Sequence, residues 1–143
     1  MDLTELRRRI PAILVELGED AGTVSLGEDA WVLHRGSTMG YVAILGAGSA
    51  EVDPVLQVKF RLLRAPKEGG EELFRTLLGL NHDMADVAAF SIDSQDIVWL
   101  GAGRFVEDLT ETELREVIGQ TAQLADRYDD RLLDLFGRDL ALE

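Results

Sequence analysis

Two histidines, five serines and 27 carboxylates are the side chains of this 143-residue chain from which a reaction centre could be built, and cysteine is absent. Without cysteine there is no disulfide framework, thiolate zinc site or thiol nucleophile, and a reducing compartment is the default. A transition-metal site prefers clustered His or Cys. His34 and His82 stand on separate elements with no histidine partner at helical or strand spacing. Asn81, His82 and Asp83 read as a polar group that caps a helix and makes a turn. Asp126, Asp130 and Asp134 share one helical face, but a single rigid face cannot wrap a hard cation, and Arg127 and Arg131 lie within reach of the later acids. That face reads as solvated. None of the serines, at 25, 37, 49, 91 and 94, sits in a Gly-x-Ser-x-Gly elbow. Gly46-Ala47-Gly48 follows an apolar strand as a dinucleotide turn would, yet the third glycine position is Glu51, which would repel a pyrophosphate. The pair reads as a turn between antiparallel strands. Catalytic, cofactor-binding and metal-ligating residues are therefore all expected to be none.

Composition bounds the remaining classes. The 14 basic residues against 27 acidic ones leave a formal charge of −13. Phosphate backbones repel such a surface, so no nucleic-acid partner is expected. The basic run Arg7-Arg8-Arg9 reads as a solvated helical face. No apolar run approaches the roughly 20 residues that span a bilayer, and Met-Asp-Leu-Thr-Glu carries acids where a secretory signal carries lysine or arginine, so no membrane contact and a cytoplasmic location are expected. The length suits one domain over residues 1–143, able to bury roughly two thirds of its unfolded surface.

Periodicity then supplies the elements. Leu3, Leu6, Ile10, Ile13, Leu14 and Leu17 recur at helical spacing up to Gly18, with Pro11 disturbing the first half. Residues 23–26 and 30–35 flank Gly27-Glu28-Asp29 as a tight hairpin, and residues 41–45 form a further strand beyond Gly36 to Gly40. Over residues 55–63, Leu56, Val58, Phe60 and Leu62 face one side while Gln57, Lys59 and Arg61 face the other, the mark of a half-buried antiparallel strand. Leu73, Phe74, Leu77, Leu78 and Leu80 predict a short helix ending at Asn81. Strands over 87–92 and 97–100 follow, with Gly101 and Gly103 ending the second. A long helix starts near Asp108 or Thr110 and runs to Phe136, with Leu114, Val117, Ile118, Thr121, Leu124, Ala125, Tyr128, Leu132, Leu135 and Phe136 on one face. The order α-β-β-β-β-α-β-β-α predicts an α+β domain whose antiparallel sheet carries helices packed on one face.

From the second helix onward the arrangement resembles the YbjN family, whose fold is similar to that of class I type III secretion chaperones of the CesT kind. The resemblance is carried by the Leu-rich segment Glu72 to Asn81, the hairpin of residues 87–92 and 97–100, the helix entry Phe105-Val106-Glu107-Asp108-Leu109-Thr110, and the tail Ala125 to Leu132. It covers about half the chain, and the earlier elements match in order. It implies a small acidic α+β protein, commonly dimeric and not an enzyme, of a family of stress or signalling regulators. The related chaperones offer apolar patches to an extended client.

The expected function is accordingly non-catalytic binding of a partner polypeptide. An extended peptide can add to a sheet edge while its side chains enter surface pockets. The candidate contacts are Leu6, Ile10, Trp31, Leu33, Leu56, Val58 and Phe60, each of which can equally be core. Leu73, Leu77 and Leu80 are candidates for a twofold homodimer interface, as the chaperone fold suggests. A negative surface favours basic clients. The alternative is a small-ligand sensor or enzyme with a site near His82, which requires a concave pocket there.

Overall fold

The computed structural model of the chain describes residues 1–22, 24–84 and 87–142. Three helices, α1 (Leu3–Glu16), α2 (Glu71–Met84) and α3 (Glu111–Phe136), accompany five strands, β1 (Ala30–Arg35), β2 (Thr38–Leu45), β3 (Val55–Arg64), β4 (Ala89–Ile92) and β5 (Ile97–Phe105). The strands form one antiparallel sheet in the order β1-β2-β3-β5-β4. This is the α+β architecture that the periodicity predicts. The foremost of the expected strand segments narrows to an isolated bridge between Ser25 and Trp31, flanked by bonds from Leu26 N–H to Ala30 and from Val32 N–H to Val24. Thr23 of that segment lies outside the described residues.

Alternation in β3 decides how the layers stack. Leu56, Val58, Phe60 and Leu62 are buried beneath the helices, while Gln57, Lys59 and Arg61 stand on the opposite face. The register extends the buried row across the sheet as Leu33, Gly40, Phe60, Leu100 and Phe90. Leu6, Ile10, Ile13 and Leu14 of α1 and the apolar stripe of α3, from Leu114 to Leu132, complete one continuous core. Within α3, Ala122, Asp129 and Leu133 are also buried, whereas Leu135, expected on the core face, is exposed.

Element ends differ from expectation for identifiable reasons. Asp2 caps α1 through its side chain, and the helix continues through Pro11, which only removes one bond toward Arg7. Gly40 lies inside β2 rather than in a separating loop, paired with Leu33 and Phe60, and a Cβ there would come within 2.3 Å of the Lys59 carbonyl and 2.8 Å of the Phe60 ring. Only hydrogen fits. Gly101 and Gly103 continue β5 instead of ending it, paired with Lys59 and Gln57; a Cβ on Gly101 would meet Lys59 Cγ at 2.8 Å. Thr110 caps α3 by accepting from Glu113 N–H at 3.1 Å, and Gly137 closes it. Charge ties α1 to its neighbours: Arg9 pairs with Glu111 and Glu16 with Arg115 of α3, and Arg7 pairs with Asp29, just before β1, at 2.7 Å. Two arginines of the basic run are therefore joined to neighbouring elements rather than solvated.

Candidate partner-binding surface

Because successive turns of a helix advance 3.6 residues, α2 divides its leucines between two sides. Leu73 and Leu77 point inward and are buried, Leu80 is partly covered, and Phe74 and Leu78 face outward with 37% and 69% exposure. Of the three leucines expected at a dimer interface, two are thus committed to the core. Phe74 and Leu78 meet Ile92 of β4, itself 44% exposed, around a concavity of about 220 Å³ floored by Leu77 and Phe90. Glu71, Glu72 and Arg75 border the apolar strip along the helix.

The adjoining sheet edge is closed by a side chain. Asn81 Oδ1 accepts from Phe90 N–H at 2.6 Å, and Asn81 Nδ2 donates to the Phe90 carbonyl at 3.1 Å. An antiparallel partner strand would make the same two bonds. The expectation that Asn81, His82 and Asp83 cap the helix is corrected here: all three lie within α2, which extends to Met84. On the core side the Phe90 ring packs edge-on to Tyr128 with centroids 5.5 Å apart, so both the backbone and the side chain of Phe90 are fixed.

The seven residues expected to contact a partner, Leu6, Ile10, Trp31, Leu33, Leu56, Val58 and Phe60, are between 0% and 4% exposed. They form the floor of the fold, and a partner cannot reach them without opening the core. The apolar residues that do reach solvent on α2 and β4 were not separable from core leucines by composition. The signal was present only as helical phase: Phe74 and Leu78 follow Leu73 and Leu77 by one residue each, about 100° around the helix.

The groups considered for chemistry stay apart. His82 is exposed on α2, and His34, on β1, has its Nδ1 3.1 Å from Oε2 of Glu19 in the loop after α1. Asp130 and Asp134 pair with Arg138 at 3.5 and 2.5 Å, rather than with Arg127 or Arg131, while the Arg131 guanidinium lies 5.7 Å from the Tyr128 ring centroid. Asp129 is buried in α3 and accepts from Ser37 Oγ at 2.5 Å; desolvation raises its pKa, with the carboxylates of Asp130 and Asp126 adding to the rise. Among the described residues, no group of three or more His, Asp or Glu is placed to hold a metal ion, and no helix is long and apolar enough to cross a membrane.

Residues 7–134 match the family model YbjN, described as "putative bacterial sensory transduction regulator". The chain belongs to the YbjN family. Solved structures extend the YbjN comparison to fold. A chain of the ExsC–ExsE complex is similar with a TM-score of 0.66 at 19% identity, covering 91% of this chain and 96% of that one. A chain of the heterodimeric ExoU–SpcU complex from the type III secretion system of Pseudomonas aeruginosa gives 0.58 at 13% identity, covering 85% and 95%. A chain of the HopA1–SchA chaperone–effector complex gives 0.57 at 10% identity, covering 91% and 98%. At these identities the likeness is one of fold. No curated protein matches the chain.

Proposed function

We propose that this YbjN-family domain is a non-catalytic, cytoplasmic binding protein that pairs as a homodimer through α2 and β4 and engages a partner polypeptide. The observation that carries the reading is the exposed apolar strip of Phe74, Leu78 and Ile92 around its concavity. Large side chains grouped around a hollow on an otherwise acidic protein mark an interaction surface. The likeness to chains solved in complexes, one of them a chaperone–effector complex, supports a polypeptide as partner. A helix presenting Phe74 and Leu78 can meet its own copy about a twofold axis, each phenyl ring entering the opposite hollow. Leu80, partly covered at the end of the strip, would be enclosed by the same contact.

The test is sedimentation equilibrium of the intact protein and of Phe74→Ser/Leu78→Ser, with affinity capture from native cytosol and mass spectrometry. A dimer at micromolar concentration that becomes a folded monomer in the variant supports the dimer contact. A captured polypeptide that binds stoichiometrically when purified supports the partner reading. A wild-type monomer overturns the dimer contact, and a tightly co-purifying metabolite with no polypeptide overturns the partner reading in favour of a sensor or enzyme.

A further inference from the structure

The open face of the sheet carries a charge opposite to that of the whole protein. β3 contributes Lys59 and Arg61 to this face by simple alternation, and a third cation by a fault in the ladder. Arg61 opposes Trp99, but Leu63 opposes Val98 and Arg64 opposes Ile97, so one extra residue is accommodated between Arg61 and Leu63. Trp99 and Ile97 are two apart on β5 and share a face, which places Arg64 on the face of Arg61. In a regular strand, residues three apart would point to opposite sides. The bulge therefore lines up Lys59, Arg61 and Arg64, and Lys67 follows just beyond Pro66.

These cations make no ion pair. The ion pairs of the described residues engage Arg7, Arg9, His34, Arg115 and Arg138, and none engages Lys59, Arg61, Arg64 or Lys67. Lys59 Nζ lies 5.3 Å from the centroid of the Trp99 ring, and Arg64 Nη1 donates at 2.8 Å to the neutral carbonyl of Gln95. Other bases of the described residues are unpaired as well, but Lys59, Arg61 and Arg64 stand together on one face of the sheet. Asp93, whose oxygens accept from the Trp99 indole at 2.9 Å and from the amides of Gln95 and Ile97, stands at the margin within electrostatic reach of Arg64 but forms no ion pair with it. Arg61, Arg64 and Lys67 line a cleft of about 530 Å³, in whose described lining Asp139 is the sole acid. Beside them the sheet is low: Ala89, Gly101 and Gly103 have little or no side chain, next to the edge-to-face pair of Tyr41 and Trp99 at 5.8 Å.

We propose that this face docks an extended acidic segment of the partner polypeptide, its alternate carboxylates meeting Lys59, Arg61 and Arg64, with its end in the cleft at Lys67. The geometry fits because alternate residues of an extended chain lie about 7 Å apart, the same repeat that separates cations two residues apart on β3. Arginine forks hold carboxylates bidentately, and low flat neighbours let a backbone lie close. This inference rests on the partner-binding reading above and gives that partner's chemistry. It reverses, for this face, the expectation that a negative protein favours basic clients.

The test is fluorescence polarisation of the intact protein with labelled Glu-Val-Glu-Val-Glu-Val-Glu, its lysine counterpart, and inorganic pyrophosphate as competitor. The acidic peptide is expected to bind at least tenfold tighter than the basic one, to weaken as salt rises, and to lose at least tenfold in Arg61→Glu/Arg64→Glu. Arg8→Glu/Arg127→Glu, which makes the same charge change elsewhere, is expected to bind normally. If charge reversal unfolds the protein, Arg61→Gln/Arg64→Gln serves, with circular dichroism as the fold check. Equal binding by wild type and the sheet variants, preference for the basic peptide, or pyrophosphate binding without peptide binding overturns the proposal. A protein that captures a polypeptide yet ignores the acidic peptide overturns this inference alone, while acidic-peptide binding without any cellular partner leaves this face standing and overturns the broader reading.

Discussion

The side-chain amide of Asn81 hydrogen-bonds both backbone polar groups of Phe90, so that one residue of α2 occupies the place where a neighbouring strand would pair with β4. Exposed edges of this kind template aggregation, and natural proteins close them. Asn81→Leu is expected to destabilise the fold by about 1–3 kcal/mol, through an N–H and a carbonyl left without partners, and to raise the aggregation rate. Asn81→Asp keeps the acceptor for Phe90 N–H, loses the donor, and should fall between. Urea denaturation and light scattering during incubation measure the two effects.

Phe60 separates the core from the contact surface. It is fully buried in the row Leu33, Gly40, Phe60, Leu100 and Phe90. Phe60→Ala is expected to cost about 3–5 kcal/mol, by lost burial and the cavity left behind. Phe74→Ala, on the exposed side of α2, should change the stability of the monomer by well under half of that, any further loss belonging to the dimer contact and varying with protein concentration. Equal losses in chemical denaturation would contradict this division of α2 and β3.

Gly40→Ala should destabilise more than Gly101→Ala. At Gly40 the new methyl meets a backbone carbonyl and the Phe60 ring, neither of which can step aside, and about 1–3 kcal/mol is expected for such overpacking. At Gly101 the nearest atom is the flexible stem of Lys59, with the Val58 carbonyl at 3.1 Å. The order of the two melting temperatures checks this.

Asp129 gives the fold a pH dependence of known sign. Burial raises its folded pKa above the unfolded value near 3.9, so its contribution is most favourable below that value and is lost as pH rises through the folded pKa. Asp129→Asn retains an oxygen for the Ser37 hydroxyl and removes the charge. The variant is expected to melt higher than wild type at pH 7, with the difference shrinking toward pH 3.5. A difference independent of pH would refute the assignment.

How far the sequence reaches can be judged element by element. The apolar alternation of β3 and the stripe of α3 are periodic, and periodicity is a local property, so both were legible, as was a start of α3 at Asp108 or Thr110, of which the structure selects Thr110. The ends of β2 and β5 were not, because Gly40 and Gly101 look like breakers alone and become strand residues only when Phe60 and Lys59 are packed against them. Asn81 similarly reads as a helix stop until β4 lies beside it.

The division runs between pattern and partner. The residues by themselves determined an acidic α+β domain and the layer order, since hydrophobic period and turn chemistry act within a few neighbours. Tertiary structure alone decided which leucines of α2 face water, that Asn81 closes the edge at Phe90, and that a bulge brings Arg61 and Arg64 to one face. Each of these depends on contacts between separate elements, and the free energy of such a contact is set by whatever residue the fold delivers to the other side.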